Sequence, residues 1–269
     1  MLGMPCYSGW LWTRALIIAG ALLAVTGPAT ADTQTFTGTS EDNDNGQADT
    51  GSASTGSGDS DQRLAVQADR YRDAVGVTVV VGMDKDSEVV QQPTGTAFAI
   101  SPKLFATNAH VARPIARYLD HDLDVFVAMS GSDDKHYRVT DAAWHSDFNT
   151  IRRNMEGKKS VPFTNDVGFL IVDGHATTTF DLAKASDLKD LDQGSRVAYL
   201  GFPTENLQRN NLNLQNPVPT MQTGIVTANT DFFLADSGFK ENKLVLHNLP
   251  ATGGASGSPI FTPQGNVVA

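Results

Sequence analysis

Apolar residues in this chain come in short runs of four to nine residues, broken repeatedly by Gly, Asn, Asp and Pro. Such runs at 77–82, 96–101, 104–107, 124–130, 137–144, 167–172, 196–202, 220–228, 243–247, 259–262 and 266–269 read as β-strands. The run VGFLIV at 167–172 is unbroken, as expected of a strand covered on both faces. Strands this short, with turn residues between them, argue an all-β chain and not alternating βαβ units. Helical periodicity is scarce. Leu64, Ala68, Tyr71 and Val75 stand four, three and four apart, which predicts a short amphipathic helix. A second, single helical turn is expected over 111–115, directly after Asn108-Ala109-His110.

The first 62 residues differ from the rest. Residues 1–31 hold one charge, Arg14, then an apolar run from Ala15 to Val25 and the small residues Ala29-Thr30-Ala31. This is the pattern of a secretory signal cleaved after Ala31. An uncleaved anchor is the alternative, although the run falls short of the roughly 20 apolar residues of a comfortable span. Residues 32–62 are rich in Thr, Ser, Gly, Asp and Asn, with Phe36 the only large apolar side chain, and carry seven acids and no base. Too little there can be buried to offset the entropy of ordering, so this stretch is expected to be a disordered linker.

Charge and cysteine narrow the class. The net charge of −10 becomes −11 without Arg14, and −4 once the seven linker acids are set aside, so nucleic acid is not an expected partner. The one cysteine, Cys6, lies before the apolar run of the signal, where a lipoprotein cysteine would follow it. The mature chain therefore has no disulfide and depends on its core. HExxH, P-loop and cysteine-ligand patterns are lacking, so no metal and no cofactor is expected. Arg152, Arg153, Lys158 and Lys159 form a basic patch read as a solvated insertion.

One stretch points to chemistry. In GGASGSP, from Gly253 to Pro259, Ser256 stands between glycines ahead of an apolar pair, Ile260-Phe261. A serine hydroxyl attacks an acyl carbon when a base takes its proton and N–H groups receive the oxyanion. Glycines at 254 and 257 permit the tight backbone that would aim the N–H groups of Gly254 and Ser256 into one hole. An ordinary Gly/Ser turn remains open on this motif alone. All six histidines precede Ser256, which excludes the α/β-hydrolase order and leaves His-Asp-Ser or Asp-His-Ser. His110 ends the run GTAFAISPKLFATNAH, at a strand end opening a helical turn. Asp166 stands at the mouth of VGFLIV, where a carboxylate is costly to bury unless something binds it.

Together GTAFAIS with TNAHV at His110, NDVGFLIV at Asp166, QTGIVTA around Gln222, Thr223, Gly224, Ile225 and Val226, and GASGSP at Ser256 resemble the trypsin-like serine peptidases of chymotrypsin fold, most closely the bacterial HtrA/Deg-like branch. The resemblance covers about 77–269, with 56 residues from His110 to Asp166 and 90 from there to Ser256. It implies two six-stranded antiparallel β-barrels with a catalytic cleft between them. The domain would run over 63–269: the amphipathic helix packed onto the first barrel over 63–183, and a second barrel over 184–269. By the same resemblance His110, Asp166 and Ser256 form a triad, Gly254 and Ser256 supply the oxyanion hole, and Leu249, Pro250 and Ala251 floor the substrate pocket. With no carboxylate in that floor, a small or medium apolar residue is the expected residue at the cleavage point. Ala255 departs from the acidic or amide residue usual there. Only 13 residues follow Ser256, so the second barrel is expected to be incomplete, as in a sequence cut short. The function implied is a secreted serine endopeptidase acting on proteins or peptides; the alternative is a protease-like binding module without turnover.

Overall fold

β1 (Val75–Met83) starts with six consecutive buried residues, the burial of a strand covered on both faces. Its antiparallel partner β2 (Val89–Ala99) runs beside it until the register slips, with Thr78 opposite Gly95 and Val79 opposite Pro93. Thr94 is thus an extra residue, and its hydroxyl pairs with that of Thr78 at 2.8 Å. A bulge is one of the few places where a strand tolerates proline, which accounts for Pro93. β3 (Leu104–Thr107), β4 (Asp124–Met129), β5 (His136–Trp144) and β6 (Gly168–Asp173) complete a closed barrel in the order β1-β2-β3-β6-β5-β4, every pair antiparallel. The structure is a computed structural model that describes residues 55–83, 89–131, 135–148, 165–203, 214–231 and 244–269. The signal, most of the acidic linker and the basic patch at 152–159 lie outside the described residues.

A second sheet follows: β7 (Asp181–Leu182), β8 (Arg196–Gly201), β9 (Thr220–Thr230), β10 (Leu244–His247), β11 (Ile260–Phe261) and β12 (Asn266–Val267), in the order β10-β9-β8-β11-β12-β7. The chain is mostly β, a closed six-stranded barrel beside a curled half-barrel, as in a chymotrypsin-like double barrel. Among the described residues the second sheet has open edges at β10 and β7, and β7 pairs with β12 in parallel. Residues 181–182, assigned by the sequence to the first barrel, therefore hydrogen-bond within the second sheet.

The helices depart from expectation in three ways. Helix α1 (Thr55–Tyr71) begins eight residues before Arg63, so 55–62 are helical where a disordered linker was expected. Two of the seven linker acids have partners: Asp59 pairs with Arg63 at 2.9 Å, and Asp61 with Arg196 of β8. The apolar stripe does face inward, with Leu64, Ala68 and Tyr71 buried, whereas Val75 belongs to β1. The helix also runs beside β8 and β9 of the second sheet, where the Arg196 guanidinium reaches Asp61, while Leu64, Ala68 and Tyr71 join the core cluster that the first barrel lines. Helix α2 (Ala109–Asp120) replaces the single turn expected at 111–115. Pro114 removes a helical hydrogen bond, but Val111, Ala112 and Ile115 are buried and Leu119 packs against the same core, which offsets that loss.

The core joins the two sheets through Phe180. Its ring stacks on Tyr71 of α1 at 4.2 Å between centroids, meets Phe98 of β2 edge-on at 5.5 Å, and lies 6.0 Å from Phe261 of β11. A smaller cluster, Leu191, Val197, Tyr199, Val226 and Leu249, fills the far side of the second sheet.

Candidate active site

His110 is the second residue of α2. Asn108, extended at φ −79° and ψ 151°, precedes the helix, and the chain reaches it straight from β3. Asp166 is delivered from the opposite direction. Asn165 adopts a left-handed φ of +52°, which asparagine tolerates better than most residues, and the turn leaves Asp166 at the entrance to β6. β6 comes close to the helix because residue 168 is glycine: a Cβ there would stand 2.7 Å from that of Ala112 and 2.8 Å from the Asn108 carbonyl oxygen.

The Asp166 carboxylate uses both oxygens on His110. Oδ1 accepts from the backbone N–H at 2.8 Å and Oδ2 from ring Nδ1 at 2.7 Å. The Asn108 side chain donates to the Asp166 carbonyl at 2.9 Å, fixing the backbone from the other side. A carboxylate only accepts, so Nδ1 carries the proton, and in the neutral form of the ring the lone pair lies on Nε2. The negative charge also sits at a helix N-terminus, where unpaired N–H groups favour it. The Asp166 side chain is 19% exposed and that of His110 30%, so the holding group is the more covered of the two. Among the described residues His110 is the one histidine paired with a carboxylate. His136 donates from Nε2 to the Leu214 carbonyl, and the His145 ring accepts from the Asp147 N–H. Burial lowers the pKa of His247, whose Nδ1 accepts from the Leu249 N–H.

Ser256 lies in the second of two consecutive turns that share Ala255. The Ala255 N–H bonds the Thr252 carbonyl at 3.1 Å, and the Ser258 N–H bonds the Ala255 carbonyl at 3.0 Å. The third residue of each is glycine with positive φ, +95° at Gly254 and +87° at Gly257, the conformation a type II turn demands at that position. A Cβ on Gly257 would also collide with the Thr96 carbonyl oxygen and the Thr107 hydroxyl. Ala255, where an acid or amide was expected by resemblance, packs against the smaller core cluster. The N–H groups of Gly254 and Ser256 donate to no other group among the described residues.

The serine turn belongs to the second sheet, yet it is bound to the first barrel. The Ser256 carbonyl accepts from the Thr96 N–H at 2.8 Å, and the Gly254 carbonyl accepts from the Thr96 hydroxyl at 2.8 Å. A Cβ on Gly95 would touch both the Ser256 carbonyl oxygen and Val111, the residue after His110, each at 3.0 Å. The serine turn and the start of α2 thus converge on one point of β2. Among the described residues no hydrogen bond joins the Ser256 hydroxyl to the His110 ring. Leu249 is buried in the smaller core cluster, while Pro250 and Ala251 are exposed.

Sequence reasoning singled out the histidine, the aspartate and the serine but missed Thr96, Asn108 and Asn165. Asparagine before an aspartate is a legible sign of a left-handed turn. Nothing marks Thr96, since threonine in a strand is ordinary.

The profile of the trypsin-like peptidase domain matches residues 95–269, well over half of the chain. The chain belongs to the trypsin-like peptidase family. A protease domain implies protein or peptide substrates. Among solved structures, the crystal structure of Deg5 is similar with a TM-score of 0.46 and 15% identity, over 77% of this chain and 83% of that one. No curated protein matches it by sequence.

Proposed function

We propose that this protein is an exported serine endopeptidase of the HtrA/Deg-like branch that cleaves peptide bonds through an acyl-enzyme. The observation that supports it most is the pair of hydrogen bonds that His110 donates to the Asp166 carboxylate, placed beside a turn in which the N–H groups of Gly254 and Ser256 are unpaired among the described residues. In this reading His110 Nε2 takes the proton of the Ser256 hydroxyl as Oγ bonds the scissile carbonyl carbon. The oxygen that gains the electron pair is received by the N–H groups of Gly254 and Ser256. The protonated ring then gives its proton to the leaving amine, the C–N bond breaks, and water releases the acyl group by the same route. Asp166 stabilises the imidazolium and holds the tautomer in which Nε2 is the ring's proton acceptor.

Intact-mass analysis with a fluorophosphonate probe tests this. The parent protein should gain one adduct and Ser256→Ala none, and Asp166→Asn should lower turnover about 10⁴-fold, the cost known for the same change in another triad. Labelling or turnover retained by Ser256→Ala would overturn the assignment. Preference for a small or medium apolar residue before the cleaved bond belongs to the same reading, since 249–251 holds no carboxylate; a peptide library cleaved after Lys or Arg would contradict it. Export rests on Arg14, the apolar run and Ala29-Thr30-Ala31, and an N-terminus at Asp32 in the periplasmic or secreted product is the expected mass.

A further inference from the structure

Thr96 is fully buried, and it is the point where the first barrel grips the serine turn. Its hydroxyl donates to the Gly254 carbonyl at 2.8 Å across 158 positions of sequence, and also accepts from the Phe202 N–H at 3.2 Å. Its N–H donates to the Ser256 carbonyl, and its own carbonyl accepts from the Thr107 hydroxyl at 2.7 Å. Every polar group of Thr96 is therefore used, and two of the four bonds go to carbonyls on either side of Ala255.

Both carbonyls point from the turn into the first barrel. With Gly254 O and Ser256 O fixed there, the backbone between them has little freedom, and the N–H groups of Gly254 and Ser256 remain unpaired among the described residues. Without the hydroxyl, the Gly254 carbonyl loses its partner in a partly buried place. Gly254, at φ +95° and with no Cβ, is the residue whose peptide groups turn most easily. A Gly254 carbonyl that turns away rotates the whole 254–255 peptide, pulls the Ala255 N–H off the Thr252 carbonyl, and so shifts the two flanking peptides that carry the Gly254 and Ser256 N–H groups. Donors stabilise an oxyanion in proportion to how well they are placed beforehand.

We propose that the Thr96 hydroxyl is a positioning group for the oxyanion hole, holding Gly254 and Ser256 in register from the opposite half of the molecule. This rests on the triad reading and deepens it. Thr96 touches no substrate and acts through the turn. It also means that the hole is assembled only when the two halves are docked, because the hydroxyl and the donors come from different sheets.

The test compares Thr96→Val, which keeps the shape and removes the hydroxyl, with Thr96→Ser, which keeps the hydroxyl and removes a methyl. Turnover of a peptide substrate by the full chain is expressed per site titrated with the fluorophosphonate, so unfolded protein is not counted. Thr96→Val should lower kcat about 10- to 100-fold, less than the 10²–10³ of deleting a donor outright. KM should stay within about twofold, since the loss falls on the transition state. Thr96→Ser should restore most of kcat. If Thr96→Val folds too poorly, Thr96→Ala measured well below its melting temperature answers the same question. A parental kcat in the hydroxyl-less variant, a change confined to KM, or a Thr96→Ser enzyme as slow as Thr96→Val would overturn the proposal. Ser256→Ala runs alongside: if it still turns over substrate, the triad reading itself has failed, whatever Thr96 does.

Discussion

Gly257 shows how a single position carries both geometry and chemistry. It holds φ +87°, a left-handed conformation that an L side chain enters at a cost of about 1–2 kcal/mol, and a Cβ there would press on the Thr96 carbonyl and the Thr107 hydroxyl. The collision is with backbone and with a buried side chain, so relief requires moving the Ser256 turn away from the first barrel. Gly257→Ala should therefore lower stability by about 2–4 kcal/mol, read from a urea midpoint, and slow fluorophosphonate labelling of Ser256 out of proportion to that loss. A variant with parental midpoint and labelling rate would show that the turn tolerates the shift. His110 and Asp166 illustrate the other side of residue-scale reasoning. The need of a carboxylate for a partner at a strand mouth was visible from its neighbours, but that it would take two hydrogen bonds from the same histidine was not.

Among the elements, α1 is the one whose place was least foreseeable. Its periodicity revealed a buried stripe, and burial followed: Leu64 is 0% exposed and Tyr71 2%. The stripe joins the core cluster of the first barrel, and β8, more than a hundred residues later, adds a second hold where Arg196 meets Asp61. The relative weights of the two contacts are testable. The ion pair is partly solvated, and such pairs contribute about 0–1 kcal/mol. Removing a buried leucine side chain costs about 2–5 kcal/mol. Leu64→Ala should thus lower the thermal midpoint by several degrees more than Asp61→Asn, with differential scanning calorimetry as the measurement. The reverse order would mean that the ion pair, and not the apolar stripe, docks the helix.

At the scale of the whole molecule, the two halves meet through aromatic packing and through Thr96. Phe180, 2% exposed, touches rings from α1, β2 and β11, while its N–H bonds the Ala99 carbonyl at 2.9 Å. Phe180→Ala leaves a cavity at that junction and should cost about 3–5 kcal/mol. Because the serine turn hangs on the first barrel, the same change should slow labelling of Ser256 before it abolishes the barrel's own β signal in circular dichroism. Simultaneous loss of both would show that the two halves form one cooperative unit with no separable docking step.

Strand after strand was legible from short-range pattern: β3 was predicted to the residue, and the eleven expected runs each correspond to a strand. The order of histidine, aspartate and serine was legible too, because chain order and local motif are properties of the sequence itself. β7 was not, being two exposed residues with no periodicity, defined only by its partner β12. The length of α2 was hidden by Pro114, whose local cost is outweighed by a buried face that only the folded chain supplies. The tertiary structure alone decided where α1 lies, that Phe180 joins the two sheets, and that Thr96 holds the serine turn. Each of these depends on contacts between residues far apart in the chain, and a window of neighbouring residues records what a segment prefers, not which distant surface will complete it.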